Sequence, residues 1–247
     1  MKSKVLFEND YHKWVVFGRD VGRNGEVVDT NEFLIVSNDV GMLLDPGGID
    51  IFPRVLAEIT RFVPVEKIEV LFASHQDPDI ISSLSMWLDL CTNAKTYSPW
   101  LWCSFITHFL MGNRCEIEPI PDKGMEIPIG TQSSVQAVPA HFCHSSGNYS
   151  IYDPVADILF SGDIGAALLP NNDHPFIVED FHDHVQYMKA FHQRWMPSSS
   201  ALRGWARRVR SLNPSMICPQ HGSIFAGENV EHFLSWIESI DVGHWDE

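Results

Sequence analysis

Positive charge is scarce in this chain. Lys and Arg total 17 against 32 Asp and Glu, a formal net charge of −15 over 247 residues. That deficit argues against a phosphate-backbone binder, whose affinity comes from neutralising phosphates with Lys and Arg. It equally disfavours docking on an anionic membrane surface. Cysteine is also thin: Cys91, Cys103, Cys115, Cys143 and Cys218, an odd number with no pair at C-x-x-C spacing. Neither a disulfide framework nor a thiolate zinc site is indicated. Long apolar runs are missing too. The longest, Leu101 to Met111, is about half of the ~20 residues of a membrane span, and Ser104, Thr107 and His108 interrupt it. The first ten residues, Met1 to Asp10, lack the apolar core of a signal peptide. The expectation is a cytoplasmic protein with no nucleic-acid and no membrane partner. No low-complexity tract, long linker or internal repeat divides the chain. No Gly-rich loop follows the first strand, which weakens a dinucleotide-binding reading.

What is present is ample core material, with 45% hydrophobic residues, enough for one domain over residues 1–247. Trp14 to Phe17, Glu32 to Val36 and Gly41 to Leu44 read as three early strands. The Asp45-Pro46-Gly47-Gly48 turn ends the third. Phe52 to Phe62 reads as a helix with an apolar face at Phe52, Val55, Leu56 and Ile59. Ile68 to Ala73 is a strand, Asp79 to Leu90 a helix, and Ala94 to Tyr97 a short strand, with Pro99 opening the next helix. Cys115 to Ala140 reads as β structure, and Tyr149 to Tyr152 with Asp157 to Phe160 as a hairpin. Helices at Asp180 to Met196 and Ser199 to Leu212 precede a strand at Ser215 to Cys218. A last helix runs from about Glu228 to Ile240. This mixture predicts an α/β layered fold with helices outside and sheets inside.

The informative feature is where His and Asp fall. Four apolar strand-like runs each deliver a metal-competent side chain. Leu71 to Ser74 delivers His75. Val135 to Val138 leads to His141 and His144. Ile158 to Gly162 delivers Asp163, and Met216 to Gln220 delivers His221. In open α/β sheets, sites collect beyond the carboxyl ends of strands. The densest cluster is His75-Gln76-Asp77-Pro78-Asp79, whose alternating His75, Asp77 and Asp79 would project to one side of an extended segment. An Asp before a helix is also a common cap, and that reading stands beside the ligand reading for Asp79. Three imidazoles and three carboxylates without thiolate make a mixed N/O site suited to zinc, iron or manganese. Asp163 is a candidate bridge between two cations. Gly162 and Gly165 around it would let backbone approach the metals.

These four motifs, in this order, resemble the metallo-β-lactamase superfamily. Within it they are most similar to the diiron domain of flavodiiron proteins, in the flavodoxin-free branch known as oxygen-binding diiron proteins (ODP). The stretches that carry the resemblance are Ser74 to Asp79, Ala140 to Tyr149, Leu159 to Gly165, and Pro219 to Gly222. The resemblance implies an αββα sandwich, two central mixed β-sheets flanked by helices. It implies two Fe ions: one on His75, Asp77 and His144, the other on Asp79 and His221, with Asp163 between them. Two departures stand out. Asp77 takes the place of a usual Glu, and Ile80 stands where zinc hydrolases place a further metal-binding His. The second iron then keeps an open position that suits an exogenous ligand such as dioxygen. Two ferric ions against three carboxylates carry +3, and a peroxide dianion returns that to +1. This charge balance favours a diferric-peroxo or oxo-type adduct.

The flavodoxin-like domain that supplies electrons in flavodiiron proteins is not expected here, nor is FMN. The resemblance therefore implies an O₂ sensor in signalling, with a chemotaxis receptor or other signalling protein as partner and a homodimer as assembly. The alternatives are an O₂ or NO reductase fed by a separate donor, a zinc-dependent hydrolase, and a metal-free interaction module. Other residues have two readings. His141 is either a support for a ligand carboxylate or a core histidine. Tyr149 either donates to bound oxygen or packs in the core. His182, His184 and His192 lie on one helix and read as exposed or interface residues, with no carboxylate at ligand spacing. Arg203, Arg207, Arg208 and Arg210, with Trp205 among them, read as a solvated helix face. Trp87, Trp100 and Trp102 read as core.

Overall fold

Strand β2 (His12–Gly18) shows why this chain stacks in layers. Trp14 and Val16 point to one side and Val15 and Phe17 to the other, and all four are fully buried. A strand buried on both faces needs a covering layer on each. The same division repeats in β3 (Glu32–Ser37), β4 (Val40–Leu44) and β5 (Ile68–Phe72). There Phe33, Ile35, Met42, Leu44, Val70 and Phe72 face one way, and Leu34, Leu43 and Leu71 the other. The structure, a computed structural model, describes residues 1–22, 27–110, 117–171 and 173–244. The start of the expected 115–140 stretch, Cys115 included, lies outside the described residues.

Two sheets form the middle of a sandwich. The first has seven strands in the order β1-β2-β3-β4-β5-β6-β7, adding β1 (Lys2–Glu8), β6 (Lys95–Pro99) and β7 (Ile117–Ile120). It is antiparallel from β1 to β4 and parallel from β4 to β7. The second has six, in the order β13-β12-β11-β10-β9-β8. These are β8 (Met125–Ile129), β9 (Ser133–Pro139), β10 (Tyr149–Asp153), β11 (Ile158–Gly162), β12 (Met216–Pro219) and β13 (Phe225–Ala226). Between the sheets Phe160 meets Phe33 at 5.5 Å and Phe72 at 6.4 Å, ring centre to ring centre. A buried polar staple joins the sheets at the end of β10 away from His144: Asp153 Oδ2 lies 2.5 Å from His12 Nε2 and accepts the Trp14 indole N–H at 2.6 Å.

Helices cover both outer faces. α1 (Phe52–Ile59), α2 (Pro78–Ile81) and α3 (Leu84–Leu90) pack on the first sheet through Val55, Ile59, Ile80, Leu84 and Trp87. α5 (Phe181–Trp195), α6 (Ser199–Leu212) and α7 (Glu228–Ser239) pack on the second through Met188, Leu202, Trp205, Val209, Phe233 and Ile237. The Asp180 carboxylate caps α5 by accepting the His182 and Asp183 N–H groups, and the Ser198 hydroxyl caps α6 by accepting the Ala201 N–H. The expected αββα architecture is thus the observed one.

Several local expectations need correction. β1 is an additional edge strand; its only apolar run, Val5-Leu6-Phe7, is short and flanked by Lys4 and Glu8, and four of its seven residues are exposed. The helix expected over 79–90 is two, because Ser83 turns inward between them and donates its hydroxyl to the Gly47 carbonyl at 2.6 Å. Pro99 ends β6 and, as expected, also heads the helical segment that follows, which is broken into short pieces. A 3-10 turn at Trp100–Trp102, the short α4 (Cys103–Ile106) and another 3-10 turn at Thr107–Phe109 follow. Trp87 is core, but Trp100 is 64% exposed. Trp205 is buried while Arg203, Arg207 and Arg208 stay on the solvent side of α6.

Candidate metal centre

All four ligand-bearing segments leave the sheets at one edge. Past β5 come Ala73, Ser74 and His75, and the chain then enters α2. Past β9 comes the loop holding His141 and His144; β11 runs into Asp163; β12 runs into His221. Asp77 occupies the N-cap position of α2, yet its side chain makes no capping bond. Asp79, within that helix's first turn, places Oδ2 3.3 Å from His221 Nε2. The capping reading of Asp79 is therefore not met, and both carboxylates face imidazoles. His144 adopts φ 77°, a left-handed conformation that a residue with a β-carbon resists. Strain of this kind persists where the surroundings hold it in place.

The geometry has two sides. On one, His144 Nε2 lies 3.0 Å from Asp77 Oδ2 and 3.4 Å from Asp163 Oδ2, and His75 Nε2 lies 3.5 Å from Asp77 Oδ2 and 4.0 Å from Asp163 Oδ2. Ligand atoms of His75, Asp77, His144 and Asp163 all lie within 4.8 Å of one another. On the other side, His221 Nε2 lies 3.7 Å from Asp163 Oδ1. Asp163 thus turns one oxygen to each side. His75, His221 and Asp163 form a buried floor, while the Asp77 and Asp79 side chains at the rim are about a third exposed. Phe191 stacks on the His144 ring at 5.9 Å and 12° and makes an apolar wall. Ile80 packs into the core under the first sheet, so it adds nothing polar to the Asp79 side.

The electrostatics follow from this crowding. Burial would depress His75, but Asp163, then Asp77 and Asp45, outweigh it and hold the imidazole up at about 9. Burial likewise opposes the charge on His221, and Asp79 and Asp163 outweigh it, again to about 9. Burial would raise the Asp77 and Asp79 carboxyls. The His144 hydrogen bond and the neighbouring His75 ring hold Asp77 well below the usual carboxylate range, and His221 holds Asp79 down. Four charged groups that lean on one another in this way are poised to exchange protons for a cation. Donor chemistry fits one: His75 Nε2 and Asp163 Oδ1 are buried with no hydrogen-bond partner among the described residues. Such orphaned atoms are costly unless something occupies the space between them.

For His75 and His221, the inward nitrogen is fixed by what the ring does on the far side. His75 Nδ1 lies 2.9 Å from Ser74 Oγ, which donates to Asp45 Oδ2 at 2.6 Å, while Asp45 Oδ1 accepts the Ser74 N–H at 2.7 Å. Burial pushes the Asp45 carboxyl up to about 7. His221 Nδ1 donates to the Asp29 carbonyl at 2.9 Å. The buried Arg19 and Asn31 side chains both donate to the Gly222 carbonyl, at 2.8 and 2.9 Å, and hold that loop. Sequence reading took Asp45 only as a turn residue and missed Arg19 and Asn31. One signal was available: Asp45 ends a buried apolar strand as the other site residues do.

Tyr149 takes its core reading, while His141, His184, His192 and Gly165 depart from expectation. Tyr149 is a core residue whose hydroxyl donates to the Pro121 carbonyl at 2.7 Å, so it does not reach the site. His141 is neither core nor a support for a carboxylate; its Nε2 meets the Asp122 carbonyl at the surface. His184 and His192 are buried, against the expectation of exposed or interface residues, while His182 is exposed. His192 donates from Nδ1 to the Met188 carbonyl and accepts the Gly165 N–H at Nε2, so its ring is neutral and helps shape the Asp163 turn. Gly165 serves packing and not metal approach: at φ +100°, a β-carbon would stand 3.0 Å from Phe225 and 3.1 Å from Phe233.

Fold and site together define a metallo-β-lactamase-like protein with a mixed imidazole–carboxylate centre. A family model described as "ODP family beta lactamase" matches residues 28–222, and the chain belongs to that family. A solved structure of the peroxy diiron species of the chemotaxis sensor ODP is 41% identical. It is matched over 98% of this chain and 97% of that one, with a TM-score of 0.87. The apo state of the chemotaxis sensor ODP from T. denticola is similar at the same identity and TM-score, over 98% and 96% of the two chains. Rubredoxin oxygen:oxidoreductase from Desulfovibrio gigas shares the fold, at 16% identity and a TM-score of 0.79, over 95% of this chain and 62% of its own. No curated protein matches.

Proposed function

We propose that this chain is a non-haem diiron protein that binds dioxygen and serves as an O₂ sensor. In this reading His75, Asp77 and His144 hold one iron, Asp79 and His221 hold the other, and Asp163 spans the two. The observation that carries it is the division of the Asp163 carboxylate, Oδ2 toward His144 and Oδ1 toward His221. The 41% identity to a chemotaxis sensor whose peroxy diiron species is known supports it. A ferrous pair held there would have two electrons to offer dioxygen. The chain's own residues would hold that pair: three carboxylates would offset most of its charge, and the Asp45–Ser74 and Asp29 contacts aim the His75 and His221 imidazoles inward. Phe191 walls one side against water. Ile80 in the core leaves the Asp79 side short of a fourth protein donor.

Anaerobic purification with iron quantitation, and absorption spectra before and after air, tests this. The reading expects two irons per chain and a new charge-transfer band that persists after exposure. Background iron content, or a spectrum unchanged by air, would overturn it. Fast steady-state O₂ or NO consumption with an added donor would favour the reductase instead.

The finer parts of the reading are a chemotaxis receptor or other signalling protein as partner, a homodimer as assembly, and a cytoplasmic location. The naming of the 41% identical relative as a chemotaxis sensor supports the first. Among the described residues no helix is long and apolar enough to cross a membrane, which is compatible with the last. Light scattering of the purified chain tests the assembly: a monomer mass would remove the homodimer.

A further inference from the structure

We propose that Gln76 is a positioning residue that commits Asp77 to a single metal-facing oxygen, backed by Ser145 and Trp102. The inference rests on the two-metal reading above. It starts from a feature of Asp77: only Oδ2 faces the two imidazoles, while Oδ1 accepts the Gln76 amide N–H at 2.8 Å. Gln76 itself cannot swing away. Its Oε1 accepts the Ser145 hydroxyl at 2.9 Å, and the Ser145 oxygen accepts the Trp102 indole N–H at 2.9 Å. The Gly147 carbonyl shares that indole N–H at 2.7 Å.

The direction of this chain of hydrogen bonds is set from both ends. An ionised carboxylate only accepts, so the amide nitrogen of Gln76 must face Asp77. An indole N–H only donates, so Ser145 accepts from Trp102; its own proton has Gln76 Oε1 at 2.9 Å as the nearer acceptor and the Gly147 carbonyl at 3.3 Å as the farther one.

The chain also ties two ligand loops together. Gln76 is next to Asp77, and Ser145 is next to His144. The Ser145–Gln76 bond therefore runs beside the 3.0 Å contact between His144 Nε2 and Asp77 Oδ2, like a second rung between the same two segments. An aspartate has a short side chain and two equivalent oxygens. With Oδ1 engaged by Gln76, Asp77 presents one donor atom at a fixed angle. Without it, the carboxylate can rotate, and either oxygen or both can turn toward a cation.

The test uses the full chain loaded with Co(II), whose ligand-field bands report coordination number and geometry. Gln76→Leu removes donor and acceptor at similar size, and Ser145→Ala cuts the backing. Chelator competition then gives the affinity of each of the two sites, and thermal melting of the metal-free protein controls for folding. Gln76→Leu is expected to weaken one of the two sites ~10–100-fold, to change the ligand-field bands and to leave the other site and the metal-free melting temperature unchanged. Ser145→Ala is expected to give a smaller loss at the same site. Wild-type bands and affinities in Gln76→Leu would overturn the inference. So would equal loss at both sites together with a lowered metal-free melting temperature, which marks a merely structural role. A wild-type protein that takes up fewer than two Co(II) would overturn the two-metal reading itself, and this inference with it.

Discussion

Asp163 Oδ1 lies 3.7 Å from His221 Nε2, and the other oxygen of the same carboxylate lies 3.4 Å from His144 Nε2. One side chain thus serves two groups of donors that come from different strands. Asp163→Asn keeps the shape but leaves one oxygen and one N–H₂ where two acceptors stood. The expected outcome is at most one tightly bound metal per chain, measured by metal analysis after dialysis. Retention of two would show that the two groups do not depend on this residue.

The support behind His75 predicts a second effect. Asp45 holds Ser74 through two hydrogen bonds, and Ser74 meets the His75 ring. Asp45→Asn swaps one acceptor for a donor in a fully buried place. Metal affinity is expected to fall by ~10–100-fold, the usual cost of losing such a partner. Competition against a chelator of known strength measures it.

Burial pushes both His184 and His192 down to about 4. His174 and Arg19 add to the effect on His184, while Asp163 opposes it on His192. An unfolded histidine titrates near ~6.5. The folded state therefore binds fewer protons between these values, and stability rises with pH across that window. The contribution of each histidine is full above about 6.5 and is lost as pH falls toward 4. Urea unfolding of the metal-free protein from pH 7 to pH 4.5 is expected to show a falling midpoint. His184→Gln is expected to flatten the slope by up to ~1.4 kcal/mol per pH unit. An unchanged slope would contradict a neutral buried His184.

Phe160 joins the two sheets through Phe33 and Phe72 and is fully buried. Phe160→Ala is expected to cost about 3–5 kcal/mol, read from denaturant unfolding. Since Phe160 lies within the strand that delivers Asp163, metal affinity is expected to fall with it.

Much of this architecture was legible in the chain because the same residues answer two demands. Trp14 to Phe17 is apolar throughout, and Ile68 to Phe72 at every position but Glu69, as a strand buried between two layers requires. His75, Asp163 and His221 stand just past such runs, so their place at one edge followed from the run ends. What was not legible depends on contacts far apart in sequence. Nothing near Ser83 announces that it will bond to Gly47 and break a helix. Nothing around His184 or His192 shows that Phe225 and Gly165 will enclose them. β1 was hidden for a different reason: as a mostly exposed edge strand it carries no apolar alternation to read. Trp100 misled in the opposite sense, since a large aromatic normally buries itself and this one does not.

Anomalous diffraction at the iron edge, from crystals of anaerobically loaded protein, addresses the central claim most directly. The account predicts two peaks flanking the Asp163 carboxylate, one beside His75, Asp77 and His144 and one beside Asp79 and His221. A single peak, or peaks away from Asp163, would contradict it.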